Sequence, residues 1–273
     1  MVTDSTADIP KDVQQALDIT VVPLNVHIGE EVFRDRVDLS GDEFFRRLGQ
    51  SAALPKTSQP SVGAFEETYR GLLAQGHDVV AVLLSARVSG TYNAGLTAAQ
   101  AVAPDRIEVI DSQMASMALG FLVLEGARLA RAGKSRREVA DHVRALVPKA
   151  RVIAAIDTLT YLQRGGRIGK AQALLGSLLN VKPLITLKDG EVQPLGRARS
   201  RAQALDRLVQ LLERDGAITH LAILHGGARA DAERLRERVA PHYPGLDISF
   251  AETGPVLGTH TGPGVIGFTY LVK

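Results

Sequence analysis

The sequence predicts an α/β protein of two packed domains. Residues 1–148 read as a parallel-sheet, three-layer unit and residues 149–273 as a mixed-sheet unit. Three observations carry this reading. Apolar runs such as Val79–Leu84 and "RIEVI" (106–110) look like strands buried on both faces. Such strands alternate with helical stretches, the pattern of a parallel sheet between helix layers. In the second half, Asp189-Gly190 between two strand-like runs is a hairpin signal, which makes that sheet mixed.

In chain order, "MVTDSTADIP" opens on a polar loop, Thr3-Asp4-Ser5-Thr6, and "ITVVPLNVHIG" (19–29) reads as one strand. Ser40 with Glu43 is a capping-box start for a helix over 40–49. A loop (51–61) leads to a helix over 63–74, the strand 79–84 and an Ala-rich helix over 91–102. Strand 106–110 follows, capped by Asp111-Ser112, and then a long, very apolar helix over 114–131. Ser135 with Glu138 starts the next helix. Past Pro148 come a strand (150–157) and two short helices broken by Gly165-Gly166. The hairpin runs (183–196), a helix (201–214), a strand (218–226), a helix (229–240) and two final strands complete the chain. No low-complexity linker divides the halves, so they pack rather than swing on a tether.

Composition narrows the function. The 273 residues are 45% hydrophobic and 23% charged, ordinary for a globular protein. With no cysteine, there is no disulfide, thiolate metal site or cysteine nucleophile. The seven histidines show no pair at ligand spacing, so neither a metal nor a resident cofactor is expected. No secretion signal and no run of about 20 apolar residues is seen, which predicts a cytoplasmic protein. A net charge of +2 does not call for nucleic acid.

Three polar loops can carry chemistry: Lys56–Ser61, Ser89-Gly90-Thr91 and "ETGPVLGTHTGPG" (252–264), the last with His260 between two threonines. Ser89-Gly90-Thr91 joins a strand end to a helix start. Unpaired backbone N–H groups and the helix dipole there favour an anion. Gly90 admits a ligand close to the main chain, and the hydroxyls add donors. Ser89 reads equally as a helix cap. A Ser–His hydrolase built on Ser89 and His260 is the rival, but the nucleophile elbow needs glycines two residues either side of the serine. Arg87 and Thr91 stand there instead.

Taken in order, "VTDSTADIP", "TSQPS" (57–61), "SGTYN" (89–93), "LQRGGRIG" (162–169), "KPLI", "GRARSR" and "GTHTGPGVIGF" span the chain and resemble the DegV family of bacterial fatty-acid-binding proteins. That family has a short apolar strand before the "TDS" loop, whereas only Met1 and Val2 precede it here, so either the start codon is assigned late or the first strand is truncated. The resemblance implies two α/β domains with a long-chain fatty acid buried between them. It implies a carboxylate held by Thr57, Ser58, Ser89, Gly90, Thr91 and His260. It further implies a non-catalytic subunit that presents the carboxylate to a partner fatty acid kinase for acyl-phosphate formation, feeding phospholipid synthesis.

Candidate tunnel walls are the apolar helix 114–124 and the segment 171–179, with Met114, Met117, Ala118, Phe121 and Leu175 facing the chain and Ala115, Gly120 and Gly176 leaving room. The plainer reading of both segments is core. Between Arg164 and Arg207 nine basic residues face only Asp189, Glu191 and Asp206. This cluster is either a solvated surface or a docking face for the kinase subunit or an anionic membrane. Arg164 and Arg167, glycine-flanked and so expected to project from a turn, and Arg199 are its leading candidates. Aromatic residues for stacking on nucleic acid are almost absent there.

Overall fold

In the computed structural model, which describes residues 1–50, 54–175 and 181–273, thirteen strands and ten α-helices alternate. The first half runs β1 (Val2–Asp4), α1 (Lys11–Ala16), β2 (Thr20–Val22), β3 (Asn25–Ile28), β4 (Glu31–Arg34), α2 (Gly41–Gln50), β5 (Lys56–Ser58), α3 (Val62–Ala74), β6 (Val79–Leu83), α4 (Thr91–Val102), β7 (Ile107–Asp111), α5 (Ser116–Arg131) and α6 (Arg136–Leu146). The second half runs β8 (Ala150–Ala155), α7 (Thr160–Arg164), β9 (Lys182–Lys188), β10 (Glu191–Ala198), α8 (Arg201–Arg214), β11 (Ile218–His225), α9 (Arg229–Val239), β12 (Ile248–Glu252), α10 (Pro255–Thr261) and β13 (Ile266–Val272).

Two sheets build the frame. The first is parallel, in the order β2-β1-β6-β7. The short first strand sits inside it, Val2 facing both Thr20 and Ala81. The second is mixed, in the order β10-β9-β8-β13-β11-β12, with β11 and β12 its parallel pair. The expected hairpin is present: Lys188 faces Glu191, and Asp189 and Gly190 both have positive φ, as the tight two-residue turn requires.

α5 explains how the halves join. It is buried on every side from Ser116 to Leu124. One core cluster runs from Val80, Val82 and Ile110 of the first sheet, through α5, to Val152, Ala154, Ala222 and Leu224 of the second. A helix that is apolar all round belongs between layers. α3 and α4 cover the other face of the parallel sheet, and α8 and α9 the other face of the mixed one.

Two expectations change. Residues 19–29 form two strands, because Pro23 has no N–H for a ladder, and the chain turns there from the parallel sheet into a third. That small antiparallel sheet, β4-β3-β5, also takes in Lys56–Ser58, expected as loop. The 252–264 segment is not a loop throughout. Pro255 starts α10 after an extended Gly254, and Gly262, at φ 74°, ends it. Of the two expected capping boxes, Ser135 and Glu138 form one completely. At α2 only the Ser40 arm forms, since the Glu43 carboxylate is drawn to Arg46 and Arg47.

Candidate functional site

The opening polar loop is a clamp. Thr3 Oγ1 donates to Val82 O at 2.8 Å, and Asp4 accepts from Leu84 N at 2.7 Å and Thr6 N at 2.9 Å. Burial pushes the Asp4 carboxyl up, against the pull of these hydrogen bonds. The result is a fixed β6 end, from which residues 85–90 lead into α4. Ser85 Oγ then donates to Gly190 O at 2.8 Å, and Arg87 pairs with Glu191 at 2.5 Å, so the β9–β10 hairpin is tied to the same joint.

Below this joint lies a cavity between the halves. Its apolar walls come from Leu24, Leu84 and Val88 on one side and from Val152, Ala154, Ile185, Leu187 and Val192 on the other. α10 runs along it, contributing Val256, Leu257, His260 and Thr261. Thr57, Ser89, Arg167 and His260 make it polar at one end.

That end is built from four separate pieces of the chain. β5 supplies Thr57, whose Oγ1 lies 2.9 Å from His260 Nε2. The β6–α4 joint supplies Ser89, 2.9 Å from Thr91 Oγ1 and accepting from Thr91 N at 3.3 Å. Residue Arg167 is folded inward, donating to Gly165 O at 2.6 Å and Val88 O at 3.1 Å. No carboxylate among the described residues pairs with it. Burial, aided by the Arg167 charge, pushes His260 down to about 4, so its ring is neutral at pH 7. Its Nδ1 is buried without a partner among the described residues. The ring packs tightly on Gly165, where a Cβ would lie 2.3 Å from Nδ1. A guanidinium with no carboxylate partner, an imidazole and two hydroxyls, set at the end of an apolar cavity, suit an amphiphile with an anionic head.

Outside this end is a vestibule lined by Lys56, Tyr161, Arg164, Gly165 and Thr259, sharing Thr57, Arg167 and His260 with the cavity. Among the described residues, no carboxylate lines it.

The sequence candidates divide. Thr57, Ser89 and His260 meet at the cavity. Ser58 turns away, its Oγ 2.9 Å from His27 Nε2. Thr91 is fully buried behind Ser89, and Gly90 is covered by the Gln59 side chain. Met114, Met117, Ala118 and Phe121 do not line the cavity, because both sheets take up this part of α5 as core. Ala115 and Ser116, at its start, do line it. Leu175 packs against the same core, and Gly176 lies outside the described residues. Arg167, expected to project from a turn, lies at the cavity instead; Arg164 lines the vestibule, and Arg199 is exposed at the start of α8.

Sequence reasoning missed a buried network at the other end of α10. Asp8 accepts from Arg36 Nη2 at 2.5 Å, from Ser116 Oγ at 2.7 Å and from Gly254 N at 3.3 Å. Arg36 also donates to Glu252 O, and Asp35 accepts from Val256 N at 3.3 Å. Burial pushes Asp35 up to about 7 and raises Asp8, with Arg36 opposing both. These groups fix the start of α10 and hence where His260 stands. The local string "RDRVD" gives no sign of this, since it reads as solvated charge.

The family model described as "Uncharacterised protein, DegV family" matches residues 1–273. The chain belongs to the DegV family. A DegV domain-containing protein of Streptomyces coelicolor is 39% identical, covering 98% of this chain and 96% of that one. Among solved structures, a fatty-acid-binding DegV family protein from Thermus thermophilus is 36% identical with a TM-score of 0.93, covering 100% of this chain and 98% of its own. A stearic-acid-binding protein from Eubacterium ventriosum is 31% identical with a TM-score of 0.92, covering 100% and 97%. The DegV fold is thus that of two-domain α/β proteins, as the sequence predicts. Among the described residues, no cluster of His, Asp and Glu could hold a metal ion, and no helix is long and apolar enough to cross a membrane.

Proposed function

We propose that this DegV chain binds one long-chain fatty acid in the cavity, with its carboxylate at Thr57, Ser89, Arg167 and His260. The observation that carries this reading is Arg167, with no carboxylate partner among the described residues, beside His260, Thr57 and Ser89 at the end of an otherwise apolar cavity. The two structural relatives described as fatty-acid binders support it. The energetics agree. Each buried CH₂ contributes roughly 0.8 kcal/mol, so a chain of about fifteen contributes on the order of 12 kcal/mol before ordering costs. The carboxylate would otherwise oppose burial, and the head-group donors offset that cost.

The chain acts as a non-catalytic, substrate-presenting subunit. One carboxylate oxygen, turned to the vestibule, attacks the terminal phosphorus of ATP held by a partner kinase, releasing ADP and leaving an acyl-phosphate for phospholipid synthesis. Lys56, Arg164 and Arg167 give the vestibule the charge that a phosphoryl group needs. With Arg199 and the rest of the basic stretch, Arg164 forms the docking face for the kinase and, transiently, for an anionic membrane surface. Lipid exchange takes place in the cytoplasm, and nucleic acid has no part. A hydrolase based on Ser89 is disfavoured: among the described residues no hydrogen bond joins Ser89 to His260, as a serine nucleophile and its base would need.

Denaturing mass spectrometry of the purified protein is expected to release one fatty acid per chain. A chain that carries no lipid and takes up none from micellar fatty acid overturns the reading.

A further inference from the structure

The remaining hydroxyls that line the cavity are not alike. Thr186 Oγ1 donates to Val152 O at 2.7 Å, Thr261 Oγ1 to Leu257 O at 3.0 Å, and Ser116 Oγ to Asp8 at 2.7 Å. Thr253 also lines the cavity and is 1% exposed, yet its Oγ1 has no hydrogen-bond partner among the described residues. Buried hydroxyls are normally satisfied, and one that is not points to a missing partner.

Thr253 and Ser116 belong to one pole of the cavity, because one carboxylate organises both. Asp8 accepts from Ser116 Oγ and from the N–H of Gly254, the residue after Thr253. Ser116 is held at φ 55°, a left-handed conformation that a serine adopts only when its surroundings impose it. This pole lies at the start of α10, and His260 lies near its end. The seven residues of α10 separate the two by roughly 10 Å.

We propose that the second pole reads a hydroxyl carried on the acyl chain away from the carboxylate, so that the ligand this cavity fits best is a hydroxylated long-chain fatty acid. The inference rests on the fatty-acid reading above and refines it. The chemistry is two-sided. Thr253 can donate to the ligand oxygen. Ser116 has committed its proton to Asp8 and keeps lone pairs to accept the ligand's own O–H. A site that pairs a ligand hydroxyl in this way discriminates strongly against the analogue lacking it, since its own polar groups are then left unpaired.

The test is titration of the delipidated protein with stearic acid, a mid-chain hydroxystearic acid and a hydroxystearic acid substituted beside the carboxylate. The mid-chain hydroxy acid is expected to bind about tenfold tighter than stearic acid. Thr253→Val should bring the two within about twofold while keeping stearic acid binding, and Thr253→Ser should retain the preference. Equal affinities in the unaltered protein overturn the proposal. So does a preference that survives Thr253→Val, which would mean that a buried water or another group satisfies the ligand. Equal preference for the acid substituted beside its carboxylate would put the selectivity at Thr57 and His260, and also overturns it. Folded protein that binds none of the three acids rejects the fatty-acid reading itself.

Discussion

Ser89→Ala combined with His260→Ala weakens binding of a long-chain fatty acid by about two to four orders of magnitude, measured by titration of delipidated protein. Hydrogen bonds to a charged group contribute about 1.5–3 kcal/mol each, and the double variant removes two of them from a buried carboxylate. It also leaves Thr57 without its His260 partner. Acyl-phosphate formation with the partner kinase falls in parallel, and unchanged turnover would remove both residues from the head-group site. The same histidine sets a pH dependence. His260 in the empty protein is held down to about 4, against 6.5 for the free side chain. The unfolded chain therefore binds the extra proton between those values, and stability of the empty protein falls as pH drops from 6.5 toward 4. A bound carboxylate favours the imidazolium and raises its pKa. Lipid affinity therefore rises as pH is lowered toward about 5, and His260→Gln abolishes that slope.

Arg36→Met destabilises the protein by about 3–5 kcal/mol, the usual cost of removing one partner from a buried ion pair. The Asp8 side chain is 0% exposed, so without Arg36 it must either stay charged in an apolar site or take up a proton. The loss is read as a fall in melting temperature of roughly 10 °C at neutral pH. Adding Asp8→Asn to Arg36→Met removes the stranded charge and recovers part of that loss, while Asp8→Asn alone does not stabilise. A melting temperature unchanged by Arg36→Met would show that the buried pair contributes nothing to stability. Lipid binding weakens too, because Asp8 and Asp35 hold the backbone at the start of α10.

Much of the two large sheets was legible in the sequence because β6, β7, β8 and β13 are apolar runs between helices of clear period. Hidden elements are those whose signals are short or mixed. The small third sheet has strands of three or four residues, and Pro23 joins two of its neighbours in what reads as one run. α10 is masked by the glycines and prolines at its ends, which mark a short helix as readily as a loop. α5 shows a limit of pattern itself. An all-apolar helix fits a tunnel wall and a core equally well, and only the position of the second sheet decides it. The head-group triad of Thr57, Ser89 and His260 was named from loops far apart in sequence, on a family resemblance rather than on spacing. Arg167 was singled out, but its direction was not: a glycine-flanked arginine can face outward or fold back onto Gly165 O. The Asp8–Arg36 network was invisible, because its charges sit in strings that read as solvated and the backbone they hold, at Glu252 and Gly254, lies near the other end of the chain.

A crystal structure of the lipid-loaded protein tests the central claim most directly. The carboxylate should lie within hydrogen-bond distance of Thr57, Ser89 and His260, with Arg167 beside it and the chain running along α10 toward Thr253. A carboxylate found at the Ser116 and Thr253 pole, or a lipid seated outside this cavity, would contradict the account.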